Sequence, residues 1–314
     1  MHPAYSVILF TTASGAGYGL LFWLGLLRAF DLVPHARWFG AISVFIALSL
    51  VTIGLLASMV HLGHPERAWR AFSQWRSSWL SREGVASLAT YVPALMLWVS
   101  WVVPGASEQL ISVAGILTAL MAFITVLCTG KIYSTLTTIR QWNNAFVLPV
   151  YFALALASGA VLLLVLARLF SYDRPLYGLI AVALVASALL IKLAYWHSID
   201  REPPRHTMAE ATGLGRETRV RQWEAPHTAE NFVMKEMGYR IARKHRAKLR
   251  RLATAVFLVT LVALISAQFA SSGLATVLSI LAVVAIALAL VLERWLFFAE
   301  AEHVAMLFYG AERV

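Results

Sequence analysis

Eight long apolar stretches divide this 314-residue chain. They cover residues 6–27, 38–60, 84–103, 110–130, 145–167, 176–196, 252–269 and 274–298. Each is close to the roughly 20 residues that an α-helix needs to cross a hydrocarbon core about 30 Å thick. In lipid every backbone N–H and C=O must be satisfied within the protein, which leaves helices and closed barrels. The stretches are runs of Leu, Ala and Val without the two-residue alternation of a barrel strand, so the barrel is excluded. The fold class is therefore an all-α integral membrane protein, a bundle of eight transmembrane helices with both termini on the same side. The whole chain, 1–314, reads as a single membrane domain. The first stretch has the position of a signal peptide, but it lacks a basic leader, is too long and runs directly into another span, so it is read as retained.

The charge is one-sided. Eight spans put the termini and the 2–3, 4–5 and 6–7 connections on one face, which holds Arg67, Arg70, Arg76, Arg82, Lys131, Arg140, thirteen Lys or Arg residues from Arg201 to Arg251, and Arg313. The other face holds Arg28, Arg37, Arg168 and Arg174. Twenty against four makes the first face cytoplasmic by the positive-inside rule, with the 6–7 connection carrying most of the difference. The net charge of +10 is explained by topology and by contact with anionic lipid or an acidic partner; no nucleic-acid motif surrounds it.

The connection 197–250 contains Pro203, Pro204, Gly213, Gly215 and Pro226, followed by a helix-like stretch over 229–250. It reads as a basic loop with a surface helix, which lies on lipid headgroups or docks a soluble subunit.

Ionisable groups at membrane depth are functional candidates by default. Glu83, Lys192, Glu293 and Arg294 all fall toward the first face, and His61, His64, His197 and His303 sit at span ends there. The opposite half offers little that titrates, with Glu108 at its border. A path through the whole thickness, as a pump or channel needs, is not suggested. A pocket near one leaflet is, and it would suit a lipid-soluble quinone, whose two carbonyl oxygens must be hydrogen-bonded and exchange protons on reduction or oxidation. The densest candidate segment is His61-Leu-Gly-His-Pro-Glu-Arg67, continuing through Trp69, Arg70, Trp75 and Trp79 to Ser81-Arg-Glu83. His61 and Glu83 are read as functional, and the individual Arg and Trp residues as interfacial anchors. Gly15, Gly17 and Gly19 in span one offer small-residue packing or a backbone approach to a ligand. Pro93 and Pro149 are expected to kink their helices. Tyr133 and Arg140 are placed near the same pocket or a docking face.

The single cysteine, Cys128, can support neither an iron–sulfur cluster nor an internal disulfide. A di-haem wire lacks histidine pairs at both depths. One haem held between two of His61, His64, His197 and His303 is sterically conceivable.

The opening from His2 to Gly19, the His61-Leu-Gly-His-Pro-Glu-Arg-Ala-Trp69 segment, Ser81-Arg-Glu83 and the Tyr133-Ser134 pair together resemble the membrane-anchor subunits of dimethyl sulfoxide reductase-type molybdoenzymes. The resemblance covers essentially the whole chain. It implies a bacterial inner-membrane protein that holds no metal, haem or iron–sulfur cluster of its own and no molybdenum active site. It also implies a quinone as exchangeable substrate, a ferredoxin-like four-cluster iron–sulfur subunit and a molybdopterin catalytic subunit as partners. The family pattern places quinone-binding roles on His61, Arg67 and Glu83, and His64 joins the candidates by position. The cytoplasmic face and the long basic connection resemble the sulfite dehydrogenase branch, and the expected function is quinone-linked electron exchange for sulfite oxidation. The alternative within the family is an anchor for a dimethyl sulfoxide or related S- or N-oxide reductase, oxidising menaquinol. A small-molecule transporter is the alternative of another class, weakened by the lack of an internal repeat or broken helices.

Overall fold

The computed structural model describes residues 5–60, 62–215, 220–224, 229 and 240–314, without the side chains of 240–244. Among these residues the chain runs through α1 (Tyr5–Ala29), α2 (Arg37–Met59), a 3-10 helix (Pro65–Gln74), α3 (Trp79–Val102), α4 (Glu108–Ser134), α5 (Val147–Leu169), α6 (Pro175–Arg201) and the short α7 (Met208–Ala211). It continues through α8 (Arg240–Phe269), α9 (Ser272–Ala299) and a last 3-10 helix, Val304–Tyr309. Eight helices have spans of 23 to 28 residues, long and apolar enough to cross a membrane, as the hydropathy pattern predicts. At 1.5 Å per residue the shortest reaches about 35 Å.

The helices form two groups of four. In the first, α1 packs on α2 and α4, and α3 packs on α4 and α2; in the second, α5 packs on α6 and α9, and α8 packs on α9 and α6. The groups meet where α5 lies against α1 and α4, with a smaller contact between α1 and α9. The middle position of α5 and α1 shows in their burial, 83% and 67% of the apolar window against 28–44% for the other six. Small residues make the seam possible: a Cβ on Gly19 would overlap the carbonyl of Ala155, and one on Gly159 would overlap the backbone of Gly19. With no hydrophobic drive between helices in lipid, such close backbone approach is what holds two of them together.

On the face of the 2–3, 4–5 and 6–7 connections, the C-terminal segment is tied down by backbone bonds. Arg205 and His206 N–H donate to the Val314 carbonyl at 2.8 and 3.1 Å, and Val304 N–H donates to Thr138 O at 3.1 Å. The Arg140 guanidinium donates to the carbonyls of Ile199, at 3.1 Å, and Glu202, closing the end of α6.

Four local expectations are corrected. Arg28 and Arg168 belong to the last turns of α1 and α5, not to far-side connections, and are buried. Arg28 pairs with Glu108 at 2.7 Å, and Arg168 with Asp173 at 3.0 Å, the Ala275 carbonyl at 3.0 Å and Ser279. A cation at a helix C-terminus is favoured by its free carbonyls, so burial there is compensated. Pro149 lies in the first turn of α5, where its missing N–H would have had no partner, so it starts the helix instead of kinking it. Span three begins at Trp79, which moves Glu83 from the helix start to its second turn. Of the expected surface helix, 240–250 is the opening of α8 and continuous with the seventh span. Its remainder lies outside the described residues except for 229.

Candidate functional site

Ser78 precedes α3 in extended conformation, and the helix then buries one face through Glu83, Ser87, Thr90, Ala94 and Leu97. Spacings of three and four residues put these on one stripe. On α4, Thr118, Thr125 and Thr129 form a matching buried stripe. The two stripes meet: the Thr129 hydroxyl donates to Glu83 Oε1, and Thr90 and Thr125 hydroxyls lie 3.0 Å apart one to two turns deeper. Glu83 is 4% exposed. Threonine also returns its hydroxyl to the i−4 carbonyl here, at 3.1 Å from Thr129 to Thr125 O. Tyr18 of α1 and Ser87 of α3 are side-chain neighbours beside the carboxylate.

Thr129 lines a half-open cleft between the two groups of helices. Its walls come from α1, α4, α5 and α9. The half-buried Thr12, Gly15 and Ala16 of α1 form the rim, and Tyr18, Thr129, Tyr151 and Arg294 bring polar atoms to its interior. A Cβ on Gly15 would meet nothing within 4 Å among the described residues, so this glycine, unlike Gly17 and Gly19, opens on the cleft instead of packing a helix. All four walls belong to the half of the bundle nearest the 2–3, 4–5 and 6–7 connections.

Behind Arg294, the one charged residue of the lining among the described residues, lies an ionic cluster. Lys192 of α6 and Glu293 of α9 are fully buried with Nζ and Oε1 2.5 Å apart, and Arg294 Nε is 2.7 Å from Glu293 Oε2. The Lys192 ammonium lies 4.0 Å from the Tyr195 ring centre and the Arg294 guanidinium 4.0 Å from that of Tyr151, distances at which a ring face attracts a cation. Tyr133 stacks on Tyr151 at 5.7 Å and meets Trp142, Phe297 and Phe298 edge-on, so aromatic rings enclose this cluster. Farther out, Arg250 joins Glu300 and Asp200 at 2.6 Å each.

The residues singled out by sequence are distributed as follows. Glu83 is in the bundle beside the cleft. His64 and Arg67 are exposed on the connection before α3, both against Glu66, at 2.9 and 3.7 Å. That connection rests on α3 where Phe72 covers Gly84, one residue from Glu83. His61 lies outside the described residues. Among the described residues no group of three or more His, Cys, Asp or Glu side chains could hold a metal ion. In the sequence Lys192 stands apart from Glu293 and Arg294 as one more ionisable residue at depth, and nothing there marks Tyr18, Tyr151 or the contact of Thr129 with Glu83. The signal for Thr129 was present in the threonine stripe at helical spacing on an otherwise apolar α4.

The model of the family described as DMSO reductase anchor subunit (DmsC) matches residues 1–311. A sulfite dehydrogenase subunit of Allochromatium vinosum is 33% identical over 330 aligned residues, covering 98% of this chain and 99% of that protein. A subunit of the anaerobic dimethyl sulfoxide reductase of Haemophilus influenzae is 32% identical over 102 residues, covering 32% of this chain and 36% of its own. Its Escherichia coli counterpart is 26% identical over 179 residues, covering 56% of this chain and 62% of its own.

Proposed function

Because the chain belongs to the family of DMSO reductase anchor subunits, we propose that it is the quinone-reactive anchor of a molybdopterin oxidoreductase complex. It exchanges electrons between the quinone pool and an iron–sulfur subunit, for sulfite oxidation on the cytoplasmic face. The observation that carries the quinone site is Glu83, a buried carboxylate held by Thr129 against a cleft that the bundle leaves between its two halves. A cleft of largely apolar walls with few polar groups is where a lipid-soluble ring would bind, and a buried carboxyl group is a proton donor or acceptor placed out of water. A bound quinone supplies two-electron chemistry coupled to protons at its ring oxygens. With its carboxyl group protonated, Glu83 donates to the Thr129 hydroxyl, which turns its own proton to one such oxygen. His64 and Arg67, from the connection that leans on the start of α3, link that carboxyl group to the aqueous face, and His61, outside the described residues, is assigned the same role by its place in the sequence pattern.

The sulfite assignment draws on the full-length likeness to a sulfite dehydrogenase subunit, where the dimethyl sulfoxide reductase relatives align over shorter parts. The cytoplasmic face draws on the basic 6–7 connection. The test is Glu83→Gln in the assembled complex. Quinone-linked turnover should fall at least tenfold, the usual weight of one proton-transfer group being about 10²–10⁴. Dye-linked activity of the catalytic subunit should be retained. Unchanged quinone turnover would remove Glu83, and with it this site.

A further inference from the structure

We infer that Arg294 is the second pole of the quinone cleft: its guanidinium donates a hydrogen bond to the ring oxygen remote from Glu83, with Glu293 and Lys192 fixing it in place. The inference rests on the quinone reading above and assigns a residue to the other side of the ring. Arg294 lines the cleft and is 2% exposed. Its Nε is paired with Glu293, its guanidinium covers the Tyr151 ring, and the Tyr151 hydroxyl is its hydrogen-bonding neighbour. A guanidinium carries five N–H donors, and one carboxylate oxygen and one hydroxyl leave donors over for an acceptor in the cleft.

Three further features fit an uncharged ring with an acceptor at each end. Glu83 and Thr129 come from α3 and α4 of one helix group and Arg294 from α9 of the other, so the polar groups stand on opposite sides of the seam. The lining between them is apolar or hydroxylic: Val126, Leu154, Ala155, Leu290, Ser14 and Ser158. The ionic chain is polarised. Lys192, Glu293 and Arg294 carry one carboxylate between two cations at the cleft end, while Arg250, Glu300 and Asp200 carry the reverse toward the surface. Positive potential therefore faces the oxygen that gains electron density when the ring is reduced. Service as a counter-ion for Glu293 alone would need a charge but not a planar fork of donors.

The wild-type complex provides a test that no folding defect can obscure. A short-chain quinone labelled with ¹³C at one carbonyl or the other, bound to the complex in membranes, should show both carbonyl infrared bands shifted to lower frequency. One shifted band would overturn the role of Arg294 and leave the Glu83 site standing; two unshifted bands would overturn both. In the complex, Arg294→Lys keeps the charge and loses the fork. It should raise KM for the quinone about tenfold, the weight of one charge-assisted hydrogen bond, with kcat and dye-linked activity little changed. A KM equal to wild type would make Arg294 a counter-ion only, whereas loss of kcat in Glu83→Gln is read independently.

Discussion

Lys192 on α6 and Glu293 on α9, 101 positions apart in the chain, meet with Nζ and Oε1 2.5 Å apart and no exposed surface on either side chain. Taking two charges out of water costs several kcal/mol per ion, so such a pair is weak evidence for stability in itself. Its meaning is positional, because it fixes Glu293, and through it Arg294, against the cleft wall. Removing one partner is another matter. Lys192→Met should destabilise the protein by about 3–5 kcal/mol, by stranding charge in the bundle. Lys192→Met combined with Glu293→Gln should cost less than the two single changes added together. Thermal inactivation of the detergent-extracted protein measures both, and strict additivity would show that the pair is not coupled.

The seam between the helix groups has no spare volume. Gly159→Val places side-chain carbons in the backbone of Gly19, and the helices must separate to admit them. Overpacking of this kind costs about 1–3 kcal/mol or more. The cleft between the same helices should deform with it. Protease resistance in membranes should fall and quinone affinity with it, whereas Gly15→Ala, which meets nothing within 4 Å, should leave protease resistance as in wild type.

Thr129 is the contact between Glu83 and the cleft. Thr129→Val is close in shape but removes the donor, leaving a buried carboxyl oxygen with one partner fewer at a cost of about 1–3 kcal/mol. Quinone-linked turnover is expected to drop severalfold while dye-linked activity holds, and Thr129→Ser should restore most of it. Equal turnover in the valine and serine variants would exclude the hydroxyl from the site.

His303 gives the loop face a pH response. Its Nδ1 accepts from Ala305 N–H at 3.0 Å and so needs the neutral ring, and burial pushes its pKa below the usual 6.5. The unfolded chain therefore takes up a proton at a higher pH than the folded one. Stability from this group is present above about pH 6.5 and is lost as pH falls through the interval down to the folded pKa. Protection factors of the Val304–Tyr309 amides, taken relative to the intrinsic exchange rate at each pH, should fall below about pH 6 in the wild type. The same fall in His303→Asn would assign it to another group.

The proposed orientation is read by a fusion. Green fluorescent protein attached at Val314 should fluoresce, as it does only when folded on the cytoplasmic side, in keeping with the basic connections sharing that face. A dark fusion with a labelled, full-length band would reverse the orientation and favour the reductase reading.

Much of the fold was legible because its cause is local. Lipid tolerates no unsatisfied backbone, so each span must be helical and long enough, and the eight apolar stretches state this residue by residue. The family motif placed Glu83 among the candidates for the same reason: its neighbours in sequence carry the pattern. The limits of the local signal appear at Arg28 and Arg168, which hydropathy assigned to connections although their helices continue past them. A buried arginine with carboxylate and carbonyl partners scores the same as an exposed one.

By itself, then, the sequence determined the class, the number and order of the helices, the one-sided basic charge and the individual ionisable residues at depth, all properties of contiguous segments. The tertiary structure alone decided which of them meet. Joining Thr129 to Glu83, Lys192 to Glu293 and Arg294 to Tyr151, and leaving a cleft between two helix groups, depends on how each helix is rotated and which small residues let backbones touch. Those are relations between residues as many as 143 positions apart, and hydrophobic runs nearly uniform around the helix carry no record of them.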